Sequence, residues 1–159
     1  VLAKDDGKTL ILSKESLKEV DIDTQSSLDW ENNKMRTYLN GVWLSDKALL
    51  REKVVSTDIT TRIYGTDEFV TTQDKVFLLS EADIFDSHSG GKTPTDSRDY
   101  TYNGKKIVSN TLASYENWLR SQYDEQFLPV WTSVGSLSYA KPHGNSGVGM
   151  RPAMWIELP

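Results

Sequence analysis

Two stretches in the last third decide how this chain reads: Trp118-Leu119-Arg120-Ser121 and Met150-Arg151-Pro152-Ala153-Met154-Trp155-Ile156. Each sets an arginine inside a run of apolar and aromatic residues. A guanidinium withdrawn from water must be paired and hydrogen-bonded, because an uncompensated buried charge is strongly destabilising. Arg120 and Arg151 therefore mark either a specified core or the floor of a pocket for an acidic ligand. Arginine's planar fork of donors suits a buried network. The expected role is structural, each arginine pairing with a carboxylate such as Glu81 or Asp83 and with backbone carbonyls. Trp118 and Trp155 are expected in the same core.

Working outward, residues 148–158 read as a closing strand in which Pro152 implies an edge position or a bulge. Residues 117–121 read as a strand, and 127–133 with 136–140 as a hairpin turning at Val134-Gly135. Upstream, Lys75-Val76-Phe77-Leu78-Leu79 is a buried-strand run. Ser80 is placed to cap a short helix over 81–85. The best helix spans 33–44, capped by Asn32 or Asn33, with Met35, Leu39 and Val42 at i, i+4 and i+7 and Tyr38 on the same face. Gly41 predicts a ragged end. A second short helix is expected over 46–51, a β-branched strand over 54–63, a strand over 10–13 and a helical turn over 14–19. Short helices early and short strands late imply an α+β fold with an irregular antiparallel sheet and long polar loops, 86–106 and 141–147 above all.

The chain has 159 residues, no cysteine, five tryptophans and a net charge of −5. That length implies one domain, 1–159. Val1-Leu2 reads as the end of a strand, so the domain is expected to be trimmed at its N-terminus from a longer chain. Without cysteine there is no disulfide framework and no thiolate metal site. The acidic balance argues against nucleic acid as a partner, and no apolar run approaches the roughly 20 residues of a membrane span.

Several motifs, taken in order, resemble a bacterial domain-of-unknown-function family, number 6273. They are Val1-Leu2 with Thr9-Leu10-Ile11-Leu12-Ser13; Trp30, Met35-Arg36 and Tyr38-Leu39-Asn40; Asp74-Lys75-Val76-Phe77-Leu78-Leu79-Ser80; Trp118-Leu119-Arg120-Ser121; and Arg151-Pro152-Ala153. Trp43 stands where the family tends to have phenylalanine. The resemblance implies a C-type-lectin-like fold, similar to the formylglycine-generating-enzyme group, and an extracellular or cell-surface location in bacteria. It implies no activity, so function is argued from the site. The formylglycine-generating chemistry depends on cysteines that this chain lacks.

The remaining motifs are weak. Gly90-Gly91-Lys92-Thr93 resembles the end of a phosphate loop, but Asp86 stands where the first glycine is needed and Pro94 blocks the helix. Asp21-Ile22-Asp23 opens a calcium-loop pattern that Ser26 and Asn32 then break. Lys141-Pro142-His143 has the wrong charge for a calcium-dependent sugar site. His88 and His143, the only histidines, read as solvated loop residues, and no nucleophile motif surrounds Ser87 or Ser146. Glu116, Asp124 and Glu125 are carboxylates among many, a nonspecific basis for glycoside hydrolysis. No catalytic, metal or cofactor site is read.

The loop aromatics Tyr100, Tyr102, Tyr115, Tyr123, Trp131 and Tyr139 are candidates for stacking on sugars or anchoring a protein. Tyr100, Tyr102 and Trp131 are expected to be exposed and, with His143, to bind ligand. The expected function is a non-catalytic recognition module for carbohydrate or a protein. The alternatives are a structural spacer or assembly domain and, behind it, a two-carboxylate hydrolase.

Overall fold

The computed structural model describes residues 1–17, 27–87, 95–142 and 147–159. Its strands are β1 (Ala3–Asp5), β2 (Lys8–Leu12), β3 (Thr57–Arg62), β4 (Phe69–Asp74), β5 (Asn117–Trp118), β6 (Leu128–Trp131), β7 (Leu137–Ala140) and β8 (Ala153–Glu157). Three antiparallel sheets result: β1-β2-β8, the β3-β4 hairpin, and β5-β6-β7. The helices are short: α1 (Lys34–Tyr38), continued by a π-helical turn over Leu39–Trp43, then α2 (Ala48–Arg51) and α3 (Glu81–Phe85). The fold is α+β.

The stretch that opened the sequence reading is the seam of the molecule. On one side β8 pairs with β2 in the register Leu10–Trp155 and Leu12–Ala153. On the other it exchanges hydrogen bonds with Phe77 through Ala153 (3.0 and 2.8 Å) and takes the Val55 amide on the Trp155 carbonyl (2.9 Å). Just upstream, Met150 bridges Leu17, and Gly149 bridges Asn117. A Cβ on Gly149 would sit 2.1 Å from the Ser16 hydroxyl and 2.6 Å from the Leu17 carbonyl, so only glycine admits this close approach. Every residue of β8 from Ala153 to Ile156 is buried, as a strand covered on both faces must be.

Pro152 therefore marks neither an edge nor a bulge. It stands just before the first residue of an interior strand, where no ladder N–H is required of it, and its carbonyl accepts the Ser13 amide at 2.8 Å. Leu17, expected in a helical turn, is bridged to Met150 in extended backbone; residues 18–19 of that turn lie outside the described residues.

Helix α1 begins where Asn33 caps it, its side chain accepting the Met35 amide at 2.8 Å. Met35 and Leu39 are buried, but Val42 is 63% exposed and Trp43 takes the third inward position. The π turn is wider than an α turn, so the inward face steps from i+7 to i+8. Ser80 caps α3 in a capping box with Asp83. The β6-β7 hairpin turns through Gly135 at φ +80°, against the Asn110 carbonyl.

Two buried polar networks tie the sheets to the helices. In the first, Asp74 accepts from Trp30 Nε1 (2.9 Å), Arg36 Nε (2.7 Å) and Thr72 Oγ1 (2.7 Å). Asn40 completes it. Its Oδ1 accepts the Lys75 and Val76 amides, and its Nδ2 donates to the Arg36 and Val76 carbonyls. Trp30, Arg36 and Asn40 of one sequence motif and Asp74 of another thus form one constellation. In the second, Arg120 Nη1 donates to the Leu78 carbonyl (2.9 Å), Thr101 Oγ1 (3.0 Å) and Asp83 Oδ2 (3.4 Å). Asp83 also receives the Ser80 and Thr101 amides. Burial pushes the Arg120 pKa down, and the Asp83 carboxylate opposes that shift.

Candidate functional site

An open groove of about 490 Å³ lies against the outer part of the β1-β2-β8 sheet. Four separated segments build it. The β1-β2 hairpin supplies Asp5, Asp6 and Lys8. The entry to β3 supplies Ser56, Thr57 and Asp58, and the segment after residue 100 supplies Thr101 and Tyr102. Trp155 of β8 completes the wall. The volume suits a small ligand or a sugar unit or two.

The sheet register explains the placement. Asp5 pairs with Lys8, and Lys8 with Glu157, and directly opposed residues project to one face. Trp155 stands two residues before Glu157 and shares that face. Lys8 is therefore flanked in register by two carboxylates. The Tyr102 and Trp155 rings meet edge to face, with centroids 5.3 Å apart. Asp58 accepts from the Gln73 side-chain amide, a neutral donor. Asp5, Asp6 and Asp58 are exposed, and none has a cationic side chain in ion-pair contact among the described residues.

The candidates named from sequence separate here. Tyr102 and Trp155 come together in the groove. Tyr100 lies apart, half-buried, donating its hydroxyl to Asp86. That bond, with some burial, pushes its pKa up to about 12. Trp131, expected to be exposed, is buried: its indole N–H donates to the Asn110 carbonyl (3.2 Å) and the Arg151 guanidinium lies over its ring (5.3 Å). Strand β6 is buried along its whole length, so Trp131 presents no face to a ligand. His143 lies outside the described residues, as do His88, Ser146, Asp21-Ile22-Asp23 and Gly90-Gly91-Lys92-Thr93.

Arg151 differs from Arg120. It is half-buried and donates from Nε to the Ser13 carbonyl and from Nη1 to the Leu112 carbonyl, both at 2.7 Å. No carboxylate pairs with it among the described residues. Two carbonyls and an indole face hold the cation, and partial burial lowers its pKa. Trp118 is buried in the core.

Elsewhere, Tyr139 stacks on Tyr123 (3.9 Å between centroids) and donates to the buried Glu81 at 3.0 Å. Burial, then the Glu81 charge, raises the Tyr139 pKa. Asp124 is used in a turn, accepting the Gln126 and Phe127 amides, while Glu116 and Glu125 are exposed. Among the described residues no three His, Cys, Asp or Glu side chains converge as metal ligands, and no helix is long and apolar enough to cross a membrane.

Sequence reasoning missed Asp5, Asp6, Lys8, Ser56, Thr57 and Asp58 as groove residues. The only signal for the hairpin trio was the polar Asp5-Asp6-Gly7 turn between two short apolar runs.

An α+β scaffold sewn together by its C-terminal strand, with two buried polar networks and an open groove, defines the class. The chain belongs to the family described as Domain of unknown function (DUF6273), whose profile matches residues 6–158. No curated protein and no solved structure matches it.

Proposed function

We propose that this chain is a non-catalytic recognition module of a bacterial surface or secreted protein, with a C-type-lectin-like arrangement, and that the groove beside Trp155 binds carbohydrate. The observation that carries this reading is the groove itself. Its lining sets the half-buried Tyr102 ring, backed edge to face by the buried Trp155, beside hydroxyl and carboxylate groups at the rim, and an aromatic ring suits the C–H face of a sugar. A protein hot spot would instead offer a larger apolar anchor pocket.

The reading is tested by binding of the purified chain to an array of glycans and cell-wall fragments, with calcium and with chelator. Selective binding that survives chelation and falls on Tyr102→Ala supports it. Absence of binding in both arms, or binding indifferent to Tyr102→Ala, overturns it.

A further inference from the structure

We infer that one water molecule is an integral part of this fold, bound in a small cavity beneath β3 where it bridges Arg62, Arg120 and Thr61. The cavity shares no lining residue with the groove, so the inference stands apart from the carbohydrate reading.

The first observation is a set of buried polar atoms on one wall. The cavity holds about 10 Å³, and its lining includes Thr61, Arg62, Asp99 and Arg120. All four residues are buried. Thr61 Oγ1, Arg62 Nε and Arg120 Nε have no hydrogen-bond partner among the described residues, a condition that native proteins rarely leave unanswered. The outer nitrogens of both guanidinium forks are engaged. Arg62 donates from Nη1 to Asp67 (3.1 Å) and from Nη2 to Asp99 (3.4 Å). Arg120 Nη1 serves the Leu78, Thr101 and Asp83 network, and Nη2 reaches the Thr60 carbonyl at a long 3.5 Å. Each arginine is left with one N–H, which can only donate.

Size and charge then choose the ligand. The volume meets the roughly 10–15 Å³ that one water needs and admits nothing polyatomic beyond it. An anion would satisfy two N–H donors, but both cations are already matched: Arg62 by Asp67 and Asp99, Arg120 by Asp83. The Asp99 carboxylate also lines the cavity and would repel an anion there. Water is neutral and both accepts and donates. Its two lone pairs take the Arg62 and Arg120 Nε–H groups, and one hydrogen goes to Thr61 Oγ1. Three bonds are the usual complement of a buried water. The bound water thereby ties β3 to the Arg120 network more firmly than the long Thr60 contact does alone.

Two measurements on the intact chain test this. The first is a high-resolution crystal structure from crystals grown without halide and from crystals soaked in bromide. One oxygen-sized peak is expected in both, about 2.7–3.2 Å from Arg62 Nε and Arg120 Nε. An anomalous bromide peak in the cavity would make it an anion site, and featureless density would make it dry; either overturns the inference. The second is the melting temperature of Thr61→Val, which swaps the hydroxyl for a methyl of the same shape. If the hydroxyl bonds the water, Tm is expected to fall by about 2–4 °C. If the hydroxyl is unpaired, the swap relieves a buried polar group, so a Tm that is unchanged or higher also overturns the inference.

Discussion

Asp74 and Asp83 are fully buried, and each carboxylate collects three or more donors from a tryptophan, an arginine, hydroxyls or backbone amides. Asp5, Asp6 and Asp58 line the groove in solvent, and among the described residues only Asp58 accepts from a side chain. The residue type is the same, and the surroundings assign opposite tasks. A buried carboxylate whose lone pairs are all engaged has no capacity left for a ligand, and it fixes the fold. An exposed one without a cationic partner contributes little to stability and keeps its capacity for a ligand.

The comparison breaks most visibly at Arg120. Arg120→Ala leaves Asp83 buried without its cation, and urea denaturation is expected to show a loss of about 3–5 kcal/mol. A loss below about 1 kcal/mol would mean that the network is ornamental. Asp74→Ala strands the Trp30 indole N–H and the Arg36 guanidinium together, with an expected loss of about 3 kcal/mol by the same measurement. An Asp74/Arg36 double-mutant cycle should return a coupling energy within roughly 0.5–3 kcal/mol, and additivity would show that the two do not act as a pair. Asn40→Ala removes both arms of a clamp on Lys75 and Val76, and about 1–3 kcal/mol should go with it.

In the groove the expectation reverses. Asp6→Asn and Asp58→Asn should change stability by no more than about 0.5 kcal/mol. A larger effect would place these side chains with the structural carboxylates.

Tyr100 gives the smallest and sharpest effect. Its folded pKa, about 12, lies above the ordinary tyrosine value because its hydroxyl donates to Asp86. The neutral form is therefore favoured by folding. The associated stability is complete below pH 10 and is lost as pH rises from about 10 to 12. In an ultraviolet titration, Asp86→Asn should return one tyrosine to the ordinary range. No change would show that the hydroxyl and the carboxylate do not meet in solution.

Much of the fold was legible because the deciding interactions are local. Ser80 and Asp83 are three residues apart and announce a helix start; the Val134-Gly135 turn sits between two apolar runs; Asn33 caps the helix that carries Met35 and Leu39. Val42 was misplaced because periodicity assumes α geometry, and the chain widens into a π turn at Leu39–Trp43. Strand β4 escaped notice because Phe69–Asp74 is largely polar and its partner is the β3 edge rather than the core. Trp131 was expected in solvent because it adjoins a turn, but both faces of β6 are covered.

By itself the sequence determined the α+β class, the family, and the residue types that must be satisfied if buried, since hydrophobic pattern, capping and turn chemistry operate over a few neighbouring positions. Tertiary structure alone decided which carboxylate meets which donor. Arg120 and Asp83 are 37 residues apart, and Arg36 and Asp74 are 38. The groove draws on residues from Asp5 to Trp155. The register of β8 between β2 and Phe77 sets where Trp155 stands, and no local pattern encodes which distant side chains that register brings face to face.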